Sequence, residues 1–187
     1  MNFNMAIAIP KKKKYTYEDY ARLPEGAPYQ LINGELIMTP APTPYHQRVS
    51  RKIEFLLIQY VENNNLGEVF DSPIDIYFSE KDVFQPDIIF ISKERFNIIG
   101  EKKIEGAPDL IIEILSPATA YYDLGRKYEV YEKNGVKEYW IVHPERKSIE
   151  IYQNQEGQFK LIQTAKEKGI IKSKLIKNFE INLEKIF

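Results

Sequence analysis

The chain contains no cysteine, which removes disulfides, thiolate zinc sites and cysteine nucleophiles together. Histidine is nearly as scarce, with two residues in 187, so a histidine-rich metal centre is not expected. Charge of one sign is lacking too. Lys and Arg number 26 against 27 for Asp and Glu, a net charge of −1, so no global field attracts a polyanion and any nucleic acid has to be met by a local basic patch. Long hydrophobic runs are absent: nothing approaches the roughly 20 apolar residues of a membrane span. The apolar run from Met5 to Ile9 is too short for a signal peptide, and its positive charges follow it instead of preceding it. A cytoplasmic protein is therefore expected. The lysines from Lys11 to Lys14 read as a solvated tail, giving a flexible N-terminal segment over residues 1–14 and a single domain over 15–187.

What is present is an ordinary globular composition, 43% hydrophobic and 28% charged, sufficient for a buried core. Thr16-Tyr17-Glu18-Asp19 resembles a capping box that opens a short helix, which Leu23-Pro24 stops. Asn33-Gly34 between two apolar tetrads is a hairpin signal, because both central positions of a type I′ turn need positive φ. Val49, Ile53, Leu56, Leu57, Tyr60 and Val61 recur at helical spacing and predict an amphipathic helix over residues 46–63. Beyond it, one strand is expected over 67–78 with a turn at Ser72-Pro73, then strands over 86–91 and 109–115, a helix over 119–133 ended by Asn134-Gly135, and a strand over 137–143. Residues 147–153, 158–164 and 169–172 alternate apolar and polar, as half-exposed antiparallel strands do. Their exposed edges and the abundant tyrosine point to a homodimer.

Two of the buried strands carry acids. In Gln85-Pro86-Asp87-Ile88-Ile89-Phe90 and in Asp109-Leu110-Ile111-Ile112-Glu113-Ile114-Leu115, a carboxylate among apolar neighbours costs several kcal/mol unless it is paired or holds a metal. The two-residue period puts Glu113 on the face opposite Leu110, Ile112 and Ile114. If the two strands are neighbours, Asp87 and Glu113 converge, and with the Ile114 carbonyl and water they form the hard oxygen site that suits Mg²⁺ or Mn²⁺. On the following helix Asp123, Lys127 and Tyr131 fall at i, i+4 and i+8, so Lys127 points back toward the acids while Arg126 points aside. An acid pair, a lysine and a metal are the parts of phosphodiester hydrolysis. A buried structural Glu113–Lys127 ion pair is the other reading, and geometry alone leaves the two open.

Taken in order, Tyr29-Gln30-Leu31-Ile32-Asn33-Gly34-Glu35-Leu36, His46-Gln47, Pro86-Asp87, the run from Gly106 to Pro117, Asp123, Lys127, Tyr131 and the run from Gly135 to Val142 resemble the Uma2 family of restriction endonuclease-like bacterial proteins, a branch of the PD-(D/E)XK nuclease superfamily. The resemblance covers about residues 15–152. It implies an α/β (α+β) fold with a mixed central sheet flanked by helices, an N-terminal β-hairpin and C-terminal antiparallel strands. It also implies a Mg²⁺-dependent endonuclease acting on DNA, with Asp87 and Glu113 as metal ligands, and it marks Glu35 and His46 as recurrent. The superfamily motif has a lysine two residues after the acid, where this chain has Leu115; in some branches that lysine migrates to the next helix, where Lys127 stands. A non-catalytic DNA-binding or protein-interaction module that keeps the fold is the alternative, favoured by the missing lysine and the near-zero net charge. Either way the nuclease reading requires Asp87 and Glu113 on neighbouring strands and one sheet face, and a structure with them on opposite faces would remove it.

Overall fold

The computed structural model describes residues 13–117 and 119–187. The run from Met5 to Ile9 and most of the expected tail lie outside them. In chain order the elements are α1 (Tyr17–Ala21), β1 (Tyr29–Ile32), β2 (Glu35–Met38), α2 (Pro44–Asn63), β3 (Gly67–Asp71), β4 (Ile76–Ser79), β5 (Asp82–Phe84), β6 (Ile88–Ser92), a 3₁₀ helix (Lys93–Ile98), β7 (Ile104–Glu105) and β8 (Leu110–Ile114). There follow α3 (Ala120–Tyr122), a π turn (Asp123–Lys127), α4 (Tyr128–Lys133), β9 (Glu138–His143), β10 (Ser148–Gln155), β11 (Gln158–Lys166), β12 (Ile170–Lys172), β13 (Glu180–Asn182) and a closing 3₁₀ turn. No helix among the described residues is long and apolar enough to cross a membrane.

A six-stranded mixed sheet of order β11-β10-β9-β8-β6-β3 carries the core. Only β8 and β9 run parallel in it, joined through the α3–α4 crossover as a parallel pair requires. Both faces are covered. Ile88, Ile112 and Trp140, in register across three strands, pack on one face with Val49, Ile53, Leu57 and Val61 of α2. Ile89, Ile111 and Tyr139, the adjacent residue in each strand, face the other way onto Val130, Tyr131 and Val136. That two-sided burial is why these strands are apolar at nearly every position. Gly67 permits β3 to close on β6, since a Cβ there would meet the Ile91 carbonyl oxygen at 2.1 Å.

A second sheet of order β2-β1-β5-β4-β7 was legible only in part. The expected strand over 67–78 is two strands in two sheets: β3 pairs with β6, and β4 with β5 and β7. Pro73, which has no N–H to give a ladder, sits at the switch. Glu80 and Lys81 form a turn that leads into β5, a buried three-residue strand too short to show a period. The hairpin forms as expected, with φ of +51° at Asn33 and +72° at Gly34, and Thr16 makes its capping box with Asp19. The helix expected over 119–133 is interrupted by the π turn.

Three buried carboxylates hold elements together. Asp109 accepts the Ser92 N–H at 2.8 Å and pairs with Arg95 at 3.3 Å and Lys137 at 2.6 Å. Glu138 accepts from Trp140 Nε1, Ser173 Oγ and the N–H groups of Lys174 and Leu175, which pins the C-terminal segment to β9. Asp82 accepts the Asn33 N–H at 2.9 Å, Ser79 Oγ at 3.2 Å, and Arg126 Nε and Nη2 at 3.2 and 2.7 Å. This last carboxylate ties the hairpin tip to the π turn, and it is why Arg126 points away from its neighbour Lys127. Asp82→Ala should cost about 2 kcal/mol, mainly from the donors it orphans, and lower the melting temperature by about 4–8 °C. Thermal denaturation checks this, and an unchanged melt would show that the sheet holds the turn without the clamp.

A carboxylate-rich candidate active site at the end of the sheet

The β6–β8 register runs Ile88↔Ile112, Ile89↔Ile111, Phe90↔Leu110. Continued by one residue, it sets Asp87 opposite Glu113, on the face that carries Ile89, Ile111 and Tyr131. Pairing of β6 stops at Ile112, and Asp87 Oδ2 accepts the N–H of Ile114 at 2.7 Å, capping a donor the ladder no longer serves. Glu113 is 3% exposed; its Oε1 accepts from Tyr131 Oη at 2.7 Å and from Lys127 Nζ at 3.0 Å. Lys127 Nζ also lies 2.8 Å from Asp123 Oδ1, while Thr119 Oγ1 donates to Asp123 Oδ2 at 3.2 Å. The i, i+4, i+8 spacing thus brings Asp123, Lys127 and Tyr131 to one acid, although a π turn lies between them. The sequence reading put Tyr131 on this face without a role; its hydroxyl is a direct partner of Glu113.

His46 comes from the other side of the sheet. Thr43 caps α2 by accepting the His46 N–H at 3.2 Å, and Pro44 occupies the first helical position, which starts the helix so that its third residue faces the strand end. His46 Nε2 donates to the Ile114 carbonyl at 2.8 Å and lies 3.5 Å from Asp87 Oδ1. Glu35 is placed elsewhere: at the start of β2, 3.3 Å from Lys14 Nζ, it does not line the cavity onto which the other acids open. That cavity, of about 1020 Å³, is bordered by Asp87, Glu113, Ile114, Asp123, Lys127 and His46, and by the proline-rich loop segments 23–28 and 39–43.

Electrostatically the cluster is out of balance. Asp87, Glu113 and Asp123 are three acids against the Lys127 ammonium and one imidazole, that of His46, 3.5 Å from Asp87. Burial pushes Glu113 up, Lys127 pulls it back, and Asp123 and Asp87 push it further, to about 8. Burial pushes Lys127 down, but Glu113 and Asp123 more than reverse this and hold it well above the usual lysine range. Lys127 therefore keeps its proton, and the surplus negative charge weighs on Glu113. Burial likewise lowers His46, but the hydrogen bond and charge of Asp87 and the Ile114 carbonyl outweigh it and raise the imidazole above its ordinary value. Asp87, Glu113 and the free lone pair of the Ile114 carbonyl are the atoms that could hold a cation. Among the described residues no three His, Asp or Glu side chains form a ready-made metal cluster, so water would have to complete the ligand set. That arrangement suits Mg²⁺, which dehydrates reluctantly.

The pH dependence follows in sign. Glu113 and His46 both have folded values raised above their unfolded ones, so between those values the folded state binds more protons and stability falls as pH rises. In metal-free buffer the melting temperature should drop between pH 6 and pH 8.5. Glu113→Gln should remove most of that drop, and excess Mg²⁺ should raise the wild-type melting temperature more at pH 8 than at pH 6. Calorimetry at both pH values is the check, and a pH-independent melt would contradict the charge imbalance.

Comparison with known proteins bears on the fold and the family. The family described as "Uma2: Putative restriction endonuclease" matches residues 17–184. A crystal structure of "a putative nuclease belonging to DUF820" from Anabaena variabilis is similar with a TM-score of 0.76 at 20% identity, covering 92% of this chain and 97% of that one; at such identity the fold is what is shared. The "Uncharacterized protein sll1609" of Synechocystis sp. is 24% identical over 151 residues, 79% of this chain and 85% of that protein. The match across residues 17–184 places this chain in the Uma2 family of restriction endonuclease-like proteins.

Proposed function

We propose that the chain is a divalent-metal-dependent endodeoxyribonuclease that hydrolyses phosphodiester bonds at the Asp87/Glu113 site. The observation that carries this reading is the excess of acid at the sheet end, where buried Glu113 and Asp123 and half-buried Asp87 stand beside one lysine and open onto a cleft. A purely structural ion pair has no use for a third acid. Bound by Asp87, Glu113 and the Ile114 carbonyl, Mg²⁺ or Mn²⁺ would supply Lewis acidity to a phosphoryl oxygen and to a water. The protein's own groups do the positioning. Tyr131 and Lys127 fix the Glu113 carboxylate through Oε1. The Ile114 N–H orients Asp87, and His46 holds the Ile114 carbonyl from behind. Lys127 takes the place of the absent motif lysine: its ammonium orients the attacking water and offsets charge growing on the phosphoryl oxygens as the new P–O bond forms and the bond to the sugar oxygen breaks.

A second reading, a DNA-binding or protein-interaction module on the same fold, is favoured by one observation: Lys127 is 3% exposed and already engaged by two acids. Lys127→Ala separates the two. Under the nuclease reading it should cut turnover on plasmid DNA at least tenfold, about 1.4 kcal/mol of transition-state stabilisation, while Mg²⁺ binding by the carboxylates survives. Leu115→Lys in that background should return part of the activity, because residue 115 shares the face of Glu113. Loss of several degrees of melting temperature with full specific activity would make Lys127 structural. Asp87→Asn should abolish cleavage, and a wild type inactive on every DNA would favour the module.

A further inference from the structure

We propose that the outward face of α2 is a track for a single nucleic-acid strand running away from the candidate active site, so that the substrate is DNA presenting an unpaired segment. This rests on the nuclease reading for the reaction and adds the form of the substrate.

The cleft cannot hold a phosphate backbone by itself. The acids Glu25 and Asp75 line it besides Asp87, Glu113 and Asp123, against Lys102, Lys127 and the His46 imidazole among the described residues; Lys127 is committed to Glu113 and Asp123, and His46 lies against Asp87. Phosphates beyond the reacting one need cations outside, and α2 supplies them at the cleft rim. Gln47 lines the cleft. From there Arg48, Arg51, Lys52 and Phe55 fall, at 3.6 residues per turn, within an arc of about 100°. Arg48 and Arg51 are exposed and, among the described residues, have no carboxylate partner. Lys52 is braced by the Ile186 carbonyl at 3.0 Å and, among the described residues, makes no ion pair. Arg51, Lys52, Phe55, Leu56 and Lys185 together line a groove of about 380 Å³. Glu54 lies on the flank of the helix, and Glu62 is almost two turns beyond Phe55.

Phe55 decides the form of the ligand. It is 62% exposed in the middle of these cations, about 12 Å along the helix from Gln47. Arginine forks suit phosphate oxygens, and an exposed aromatic ring beside them is a stacking platform for an unpaired base, whose faces a duplex keeps covered. A second copy of the chain fits less well. It would set this cluster of cations against its own image, with only one exposed ring and a half-buried leucine as the apolar centre.

The test measures binding in EDTA, with polarisation of a labelled mixed-sequence single strand of about 20 nucleotides, longer than the site sizes usual for such surfaces, and of the matching duplex. Arg48→Ala with Arg51→Ala should weaken single-strand binding at least tenfold and reduce the slope of log affinity against log salt by about 1.4, two phosphates' worth. Phe55→Ala should weaken single-strand binding about fivefold or more, leave the salt slope unchanged and spare duplex binding. All three sites are exposed, so melting temperatures should stay within a degree or two of wild type. Unchanged single-strand affinity in both variants overturns the track, as does a wild-type dimer that Phe55→Ala converts to monomer in sedimentation. Cleavage in Mg²⁺ by wild type and Asp87→Asn keeps the two ideas apart. Asp87-dependent cleavage with undisturbed variant binding leaves the nuclease and removes the track. Variant-sensitive single-strand binding without Asp87-dependent cleavage leaves the track and removes the nuclease.

Discussion

The pairing of β6 with β8 is the constraint on which the candidate site depends. With Ile88 opposite Ile112, the next residue of one strand and the next of the other are both acids, and antiparallel geometry gives them one face. A slip of one residue would send Asp87 to the α2 side of the sheet while Glu113 stayed with Tyr131. Burial on both faces prevents that slip, because it would also exchange Ile88 and Phe90, which pack on α2, with Ile89 and Ile91, which pack on the α4 side. The same packing that makes the strands apolar therefore aligns the two carboxylates that do not belong in an apolar strand.

Buried acids elsewhere in the molecule show what a settled carboxylate looks like. Glu138 is fully buried, yet its two oxygens accept four hydrogen bonds from an indole, a hydroxyl and two backbone N–H groups. Asp109 has two cations and a backbone N–H; burial pushes it up, but Lys137, the Ser92 N–H and Arg95 together hold it below the ordinary carboxylate range. Glu113 differs in direction. Burial raises it, and Lys127, shared with Asp123, does not bring it back while Asp123 and Asp87 push it further up. The contrast separates acids that hold the fold from an acid cluster left with charge to spare, the condition under which a cation or a proton is bound.

The π turn Asp123–Lys127 adds a division of labour between adjacent residues. Arg126 is drawn outward to Asp82 on β5, and Lys127 inward to Glu113 on β8. One turn of helix thus links the hairpin sheet to the central sheet, and the two strands involved lie in different sheets. Such single-turn bulges recur at functional sites.

Much of this was present in the amino-acid order. The apolar period of α2, the Asn33-Gly34 turn and the proline-bounded strands around Asp87 and Glu113 are local signals, and local physics determines them: helical amphipathicity, positive φ, two-sided burial. The spacing of Asp123, Lys127 and Tyr131 determined that one helical face would meet the acid strand. Other features needed the folded chain. Residues 67–78 split between two sheets because strand partners far away in sequence decide which ladder each half joins. Asp82 has no local signal of its role, because its partner Arg126 lies 44 residues later in the chain. His46 stands at the start of the helix expected over 46–63, and only the approach of α2 to the end of β8 puts its Nε2 on the Ile114 carbonyl. Glu35 was marked by resemblance alone, and the hairpin carries it away from the cleft. The charge surplus at Glu113 belongs wholly to tertiary structure, since a carboxylate's environment is the sum of groups brought within a few ångströms from separate elements, and no period in the sequence records that sum.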